Sequence, residues 1–306
     1  MKGVSIGIVT AEGISGAIVH GSTIVSPVRQ YPADGGHAED LQSLPADGVA
    51  EKICEMIDEV AAGACIIESV GVAFPGVIRS GIVQESPNYS QMKGFRLADA
   101  IRSHLEAAGQ SGVSVAISND ADVVASGIAA QRNQLDRLVR VWTLGNGIGY
   151  GRYPSGDEIW EGGHTVVTLD PKEKYCGCGG VGHLEGIMGY RSMRLRFFDL
   201  EPEEIFALAD DGDARCMEFV RLWHRALAAA TASSIHMEGP GKFYITGPSA
   251  RYINLGLLHR YLHEMVKMST LQGYLFEVVP GGHEIGIVGA SVNAAHPVFA
   301  PMTANA

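Results

Sequence analysis

Residues 164–185 read HTVVTLDPKEKYCGCGGVGHLE. Two histidines, two cysteines and a run of glycines crowd one short stretch of a chain that holds only five cysteines in 306 residues. Thiolate and imidazole are the donors Zn²⁺ prefers, and four of them close a tetrahedral structural site, whereas a catalytic zinc keeps a position open. His164, Cys176, Cys178 and His183 are therefore predicted as metal ligands with a structural role. The glycines at 177, 179, 180 and 182 let the backbone turn tightly enough to aim both sulfurs inward. A glycine-rich surface loop or a redox pair has the same spacing. The donor chemistry favours zinc.

Working outward, the composition is that of an ordinary globular protein: 46% hydrophobic and 19% charged. The length suffices for two domains. A formal charge of −11 argues against nucleic acid or an anionic membrane, both of which call for a basic surface. Nothing reaches the roughly 18 consecutive apolar residues of a membrane span. The N-terminal MKGVSIGIVTAEGISG breaks its apolar run with Glu12 and glycines, unlike a signal peptide. Few cysteines, odd in number, do not suggest a disulfide framework. A soluble cytoplasmic protein is expected, as is a homodimer.

Periodicity then organises the chain. Short strands fill the first 30 residues. Val49, Ile53, Met56, Ile57 and Val60 stand at helical spacing, and SVGVAFPGVI is a buried strand stopped at Pro75-Gly76 with GIVQES pairing behind it. RLADAIRSHLEAA and ADVVASGIAAQR are helical, with VSVAISND a strand between them. The second half begins again with a strand pair turning at Gly145–Gly149. It continues through a helical region over roughly 184–236, the strand KFYITGP, the helix YINLGLLHRYLHEMVK, the strand YLFEVV and a last helix HEIGIVGASVNAA. Strands first and alternation after, in each half, read as an α/β protein of two similar lobes, with a cleft between them as the default ligand site. Cys54, Cys65 and Cys216 fall in apolar or helical contexts and read as buried small hydrophobes. His104, His224, His259 and His263 lie in helical stretches and read as surface or satisfied core residues. GGHAED (35–40) is expected to be an exposed loop, and the Ala-rich face of RLWHRALAAATASS to pack inside its lobe.

Glu161-Gly162-Gly163-His164 followed by Cys176-Gly177-Cys178-Gly179-Gly180-Val181-Gly182-His183-Leu184-Glu185 resembles the E-x-G-H and C-x-C-G-x-x-G-C-x-E pattern of the ROK family (repressors, open reading frames and kinases). His183 stands where the family has its last Cys, and imidazole can replace thiolate on zinc. GVAFPGVI, SPNYS, SNDADVVASG and LGNGIGYG resemble further family elements in the right order, so the resemblance covers nearly the whole chain. It implies a two-lobed actin-like ATPase (ribonuclease H-like) fold with an interlobe cleft. The lobes are expected at 1–118 plus 283–306 and at 119–282.

The resemblance further implies a sugar site at Asn88, Asn119, Asp120, Glu161, His164 and Glu185, with Asp120 the general base. Carboxylate, amide and imidazole groups can meet vicinal hydroxyls in pairs. His164 can serve zinc through one ring nitrogen and the ligand through the other. Without the resemblance, Asp120 reads as a helix N-cap. On the nucleotide side the implied residues are Gly145, Asn146, Gly147, Gly149 and Gly247. The family's first phosphate motif, D-x-G-G-T, is here Val9-Thr10-Ala11-Glu12-Gly13, which lacks the metal-organising Asp and the glycine pair. ATP and Mg²⁺ are expected if the protein is a sugar kinase. The alternatives left open are an enzyme that works on the same sugar without ATP, using Asp120, Glu161 or Glu185 as acid and base, and a sugar-binding pseudokinase. No helix-turn-helix segment stands before the first strand, so a repressor is not expected.

Overall fold

The alternation of the first residues becomes a sheet because every second side chain is apolar. In β1 (Val4–Thr10), Ile6 and Ile8 are fully buried. β2 (Ile14–His20) folds back antiparallel, and β3 (Thr23–Ile24) and β4 (Arg29–Tyr31) both add to β2. The structure, a computed structural model, describes residues 3–32, 40–62, 66–156 and 159–296. Residues 35–39 of the GGHAED loop, and Cys65, lie outside the described residues. α1 (Ala46–Ala61) buries the five apolar positions that its spacing predicts. β5 (Ile67–Phe74) lies parallel to β1, and Pro75-Gly76 ends it. β6 (Val77–Arg79) and β7 (Ile82–Glu85) form an antiparallel hairpin, α2 (Leu97–Ala107) follows, and β8 (Ser114–Asn119) pairs parallel to β5. The sheet order is β3-β2-β1-β5-β8. α3 (Asp120–Gln131) leaves the end of β8 directly.

The second sheet runs β10-β9-β11-β12. It is made by β9 (Val139–Leu144), β10 (Ile148–Tyr153), β11 (Lys242–Thr246) and β12 (Leu275–Val278). The helical region expected over 184–236 is four helices: α4 (Leu184–Met188), α5 (Tyr190–Arg196), α6 (Pro202–Asp210) and α7 (Ala214–Glu238). Gly189 in an extended conformation separates the first two, and Pro202 opens α6. Gly212 takes a left-handed φ of 95°, and Asp213 caps α7 through the Cys216 amide. The Ala-rich face of α7 is buried within its own unit, as expected. Trp142 Nε1–H reaches Thr231 Oγ1 at 3.1 Å, and Trp223 Nε1–H reaches the Met188 carbonyl at 3.3 Å. α8 (Leu255–Met265) begins at the cap Asn254, later than the sequence pattern suggests.

His224 is a satisfied core residue. Its Nδ1 donates to the Val220 carbonyl at 2.8 Å, and its Nε2 accepts the Asn254 amide at 2.9 Å. Burial lowers its pKa against the opposing pull of the Val220 and Tyr252 backbone. The neutral ring is thus native, and its contribution is complete above the unfolded value of about 6.5 and lost as pH falls through the lower folded value. His224→Leu is expected to cost about 1–3 kcal/mol at pH 7.5 and distinctly less at pH 5, in urea denaturation followed by circular dichroism. Cys54 and Cys216 are buried, and His104 is a surface partner of Asp58 at 2.9 Å.

The last helix, α9 (His283–Ala295), returns to the first sheet and lies on it at backbone contact. A methyl at Gly7 would stand 1.9 Å from the Ile287 carbonyl, one at Gly71 1.7 Å from that of Ala290, and one at Gly289 1.8 Å from that of Val123. Glycine is the only residue these approaches admit. The last of them also draws α3 to α9. The chain accordingly divides into one unit running to Val139, taking in Gly151–Ile159 and resuming at Gly282, and a second of Arg140–Tyr150 and Trp160–Gly281. α3, which follows position 119, lies in the first of these units. The glycine-mediated packing of α3 on α9 has no signature in local periodicity. Among the described residues no helix is long and apolar enough to cross a membrane.

Candidate functional site

The 161–185 segment is held at its middle and closed across its ends before any metal is considered. Glu173 and Arg196 pair through both carboxylate oxygens, Arg196 stacks over Tyr175 at 4.4 Å, and Ser192 donates to the Tyr175 carbonyl at 3.0 Å. Leu184 N–H donates to the Thr165 carbonyl at 2.9 Å, and His183 pairs with Val166 in an isolated antiparallel bridge. The outcome is convergence of His164, Cys176, Cys178 and His183, whose ligand atoms all lie within 4.8 Å of one another. The two sulfurs are 3.4 Å apart and the two Nδ1 atoms 3.3 Å. Cys176 Sγ is 3.6 Å from His164 Nδ1, and Cys178 Sγ is 3.3 Å from His183 Nδ1. A tetrahedron with zinc bonds of about 2.0–2.3 Å has edges of roughly 3.3–3.8 Å, so this donor set fits a Zn²⁺ ion. Burial pushes the Cys176 thiol up to about 12. Gly179 and Gly182 take left-handed φ values of 82° and 73° in the same loop.

The remaining ring nitrogen of His164 lies 3.8 Å from Glu161 Oε2. Glu185, in the first turn of α4, accepts the Ile148 amide on Oε2 at 3.0 Å, and its Oε1 lies 3.5 Å from Cys176 Sγ. The Gly145–Gly149 turn is therefore tied to the cysteine loop. Gly145 N–H donates to the Gly147 carbonyl at 3.0 Å, and its own carbonyl accepts Tyr190 N–H at 3.0 Å. Two of the turn's amides, those of Gly145 and Ile148, are thus already engaged. Gly247, with a φ of 96°, follows β11 against the end of β9, where a methyl would meet the Leu144 carbonyl at 2.5 Å. Gly145 and Gly247 so come together at the carboxyl ends of adjacent parallel strands, a usual place for ligands in α/β sheets.

The other predicted residues stand in the first unit. Asn119, not Asp120, is the N-cap of α3: its Oδ1 accepts the Ala121 amide at 2.9 Å, while its Nδ2 donates to the Gly76 carbonyl at 2.8 Å. Asp120, at the first helical position, shares that Ala121 amide at 2.9 Å. Its residue is exposed to solvent, with protein close enough around the carboxyl to desolvate it in part. That enclosure raises its carboxyl above the ordinary range, against the opposing pull of the Ala121 amide and Asn119. Asn88 is exposed after the β6–β7 hairpin. Its neighbour Tyr89 is fully buried and donates to the Ala11 carbonyl, pinning the β1–β2 turn. In that turn Ala11 N–H is spent on the Gly13 carbonyl at 2.8 Å. Val9 packs on Ala73, Val123 and Ala290 and against Gly286, and Glu12 is exposed.

The ROK family model matches residues 34–292, most of the chain. The chain belongs to the ROK family. A glucokinase from Pyrobaculum calidifontis is 27% identical over 256 residues, covering 79% of this ROK protein and 83% of that enzyme. The crystal structure of a ROK hexokinase from Thermus thermophilus superposes with a TM-score of 0.74 at 24% identity, covering 96% of this chain and 99% of that one. A ROK family glucokinase from Streptomyces griseus in complex with glucose and AMPPNP gives 0.69 at 21% identity, covering 96% and 100%. The fold is accordingly the actin-like ATPase fold expected from the motifs. Within this ROK chain, sequence reasoning missed the Glu173–Arg196 clamp, the Tyr89 tether and the Glu185–Ile148 bond. Each joins residues whose spacing carries no signal. Only Tyr89, standing next to Asn88, had a cue at all.

Proposed function

We propose that the protein is a sugar kinase that passes the γ-phosphoryl group of ATP to a primary hydroxyl of a hexose, amino sugar or sugar-like cyclitol. The observation that carries this reading is the Asp120 carboxyl: solvent-accessible, fixed at the head of α3, and raised in pKa by its surroundings. A general base gains efficiency as its pKa moves toward the working pH. Asp120 takes the proton of the attacking hydroxyl. Asn119 is held by its two backbone bonds and supports that carboxyl, and Asn88, Glu161, His164 and Glu185 bind the sugar hydroxyls. Glucose and AMPPNP in the Streptomyces griseus relative support both substrate classes. On the nucleotide side, Asn146, Gly147, Gly149 and Gly247 approach the phosphates, with the Gly145 and Ile148 amides already used inside the turn.

His164, Cys176, Cys178 and His183 would hold a zinc ion, which staples the loop and supplies preorganisation. The protein is expected to carry about one zinc per chain by elemental analysis. Cys178→Ser should lower that content severalfold and expose the 161–185 loop to limited proteolysis while the first unit stays resistant. Magnesium is a different matter. The residues at the β1 turn do not fit the family's way of holding it, because Val9 is an apolar packing residue.

That same apolar Val9 favours a second reading: a sugar binder, or an enzyme that works at this site without ATP, with Asp120, Glu161 or Glu185 as acid and base. A coupled assay of ADP release with Mg·ATP and a panel of hexoses and amino sugars separates the two. Sugar-dependent ADP release is expected. Calorimetric sugar binding with neither nucleotide heat nor ADP would sink the kinase reading and leave the second.

A further inference from the structure

We infer that Glu185 is a positioning residue that couples the cysteine loop to the Gly145–Gly149 turn, so that one carboxylate sets the geometry of both. Three observations meet on this side chain. Its Oε2 accepts the Ile148 amide at 3.0 Å, its Oε1 stands 3.5 Å from Cys176 Sγ, and Gly147 leaves the carboxylate room that a methyl would occupy at 2.5 Å from Oε2. A charged acceptor on a backbone amide is among the stronger hydrogen bonds, and here it closes a tight turn at its fourth residue. The backbone around Glu185 locks the same elements together. Gly186 N–H donates to the His183 carbonyl at 3.0 Å, Tyr190 N–H to that of Gly145 at 3.0 Å, and a methyl at Gly189 would fall 2.9 Å from the Asn146 carbonyl. Glu185 therefore cannot turn toward a ligand without releasing Ile148, and the turn cannot shift without moving Glu185. A ligand hydroxyl on Glu185 and a phosphate on the turn share one mechanical element. The inference rests on the kinase reading only where it names those two ligands.

Gly147→Ala tests the coupling from the far side. Position 147 lies outside the left-handed region, and the added methyl meets the end of a movable side chain, so the variant should fold. It should push the Glu185 carboxylate off Ile148. Hydrogen–deuterium exchange of the peptide spanning 144–150 reads this directly, whether or not the protein is a kinase. Gly147→Ala and Glu185→Ala should each raise exchange there by about tenfold or more, while Glu185→Gln, which keeps a carbonyl acceptor, should retain most of the protection. With glucose as calorimetric probe, both alanine variants should weaken binding by similar factors, and the double variant should be no weaker than the worse single one. Unchanged exchange in Gly147→Ala, or effects that multiply in the double variant, would overturn the coupling. Absence of glucose binding in the parent protein would exclude glucose as the sugar, without touching the kinase reading for other sugars, and leave the exchange comparison to decide the coupling.

Discussion

Asp120→Asn is expected to lower kcat by about 10²–10⁴-fold, the usual worth of a positioned general base, while leaving the thermal midpoint unchanged or raised. The loss follows from chemistry: the amide keeps an oxygen for the Ala121 N–H but cannot take a proton. The stability half follows from linkage. Enclosure by protein raises the Asp120 pKa, so the folded state holds this proton more tightly than the unfolded chain. Its contribution to stability is present below the unfolded value and is lost as pH rises through the folded one. At pH 7 the ionised carboxylate opposes folding only by the part of that shift that its exposure to solvent leaves unscreened, and the neutral amide removes it. On the proposed role, the parent protein's kcat/KM should fall as pH drops through the raised value, because a general base must be ionised to act. Steady-state kinetics and a melting curve on one preparation check both halves. A variant with full activity removes Asp120 as the base.

The second large effect belongs to the fold. Gly71→Ala is expected to destabilise by about 3 kcal/mol or more and to yield little soluble protein, because its methyl would stand 1.7 Å from the Ala290 carbonyl and 2.3 Å from its carbon. No rotamer change relieves a clash with backbone, so β5 and α9 must separate, and α9 also covers β1 and α3. Against a typical total stability of about 5–15 kcal/mol, that is a large fraction. Gly273→Ala is the matched control: its methyl meets nothing closer than 3.9 Å and should change the urea midpoint negligibly. A Gly71→Ala protein as stable as this control would show that α9 does not lie where the glycines place it.

The element pattern was legible because it is local. Apolar positions at period two in β1 and at helical spacing in α1 bury as their spacing requires. The long helical region over 184–236 was legible as helix but not as four helices, because Gly189, Pro202 and Gly212 interrupt it through backbone conformation and not through apolar spacing. The metal set was also legible. Cysteine and histidine have few uses at such density, and donor type alone selects zinc chemistry. Its approach distances were not, for they depend on α5 holding Glu173 and Tyr175 through Arg196 and Ser192.

By itself, then, the sequence determined the α/β class, the ROK motifs in order, the four candidate ligands and the missing carboxylate at Val9. Tertiary structure decided that α3 joins the first unit, that Asn119 and not Asp120 caps it, that the Gly145 and Ile148 amides are already spent, and that Val9 packs, partly buried, against Ala73, Val123 and Ala290. The division has one physical cause. Periodicity, caps and donor identity are properties of neighbours along the chain, whereas hydrogen-bond partners and backbone approaches such as Gly71 on Ala290 or Ile148 on Glu185 join residues far apart in it.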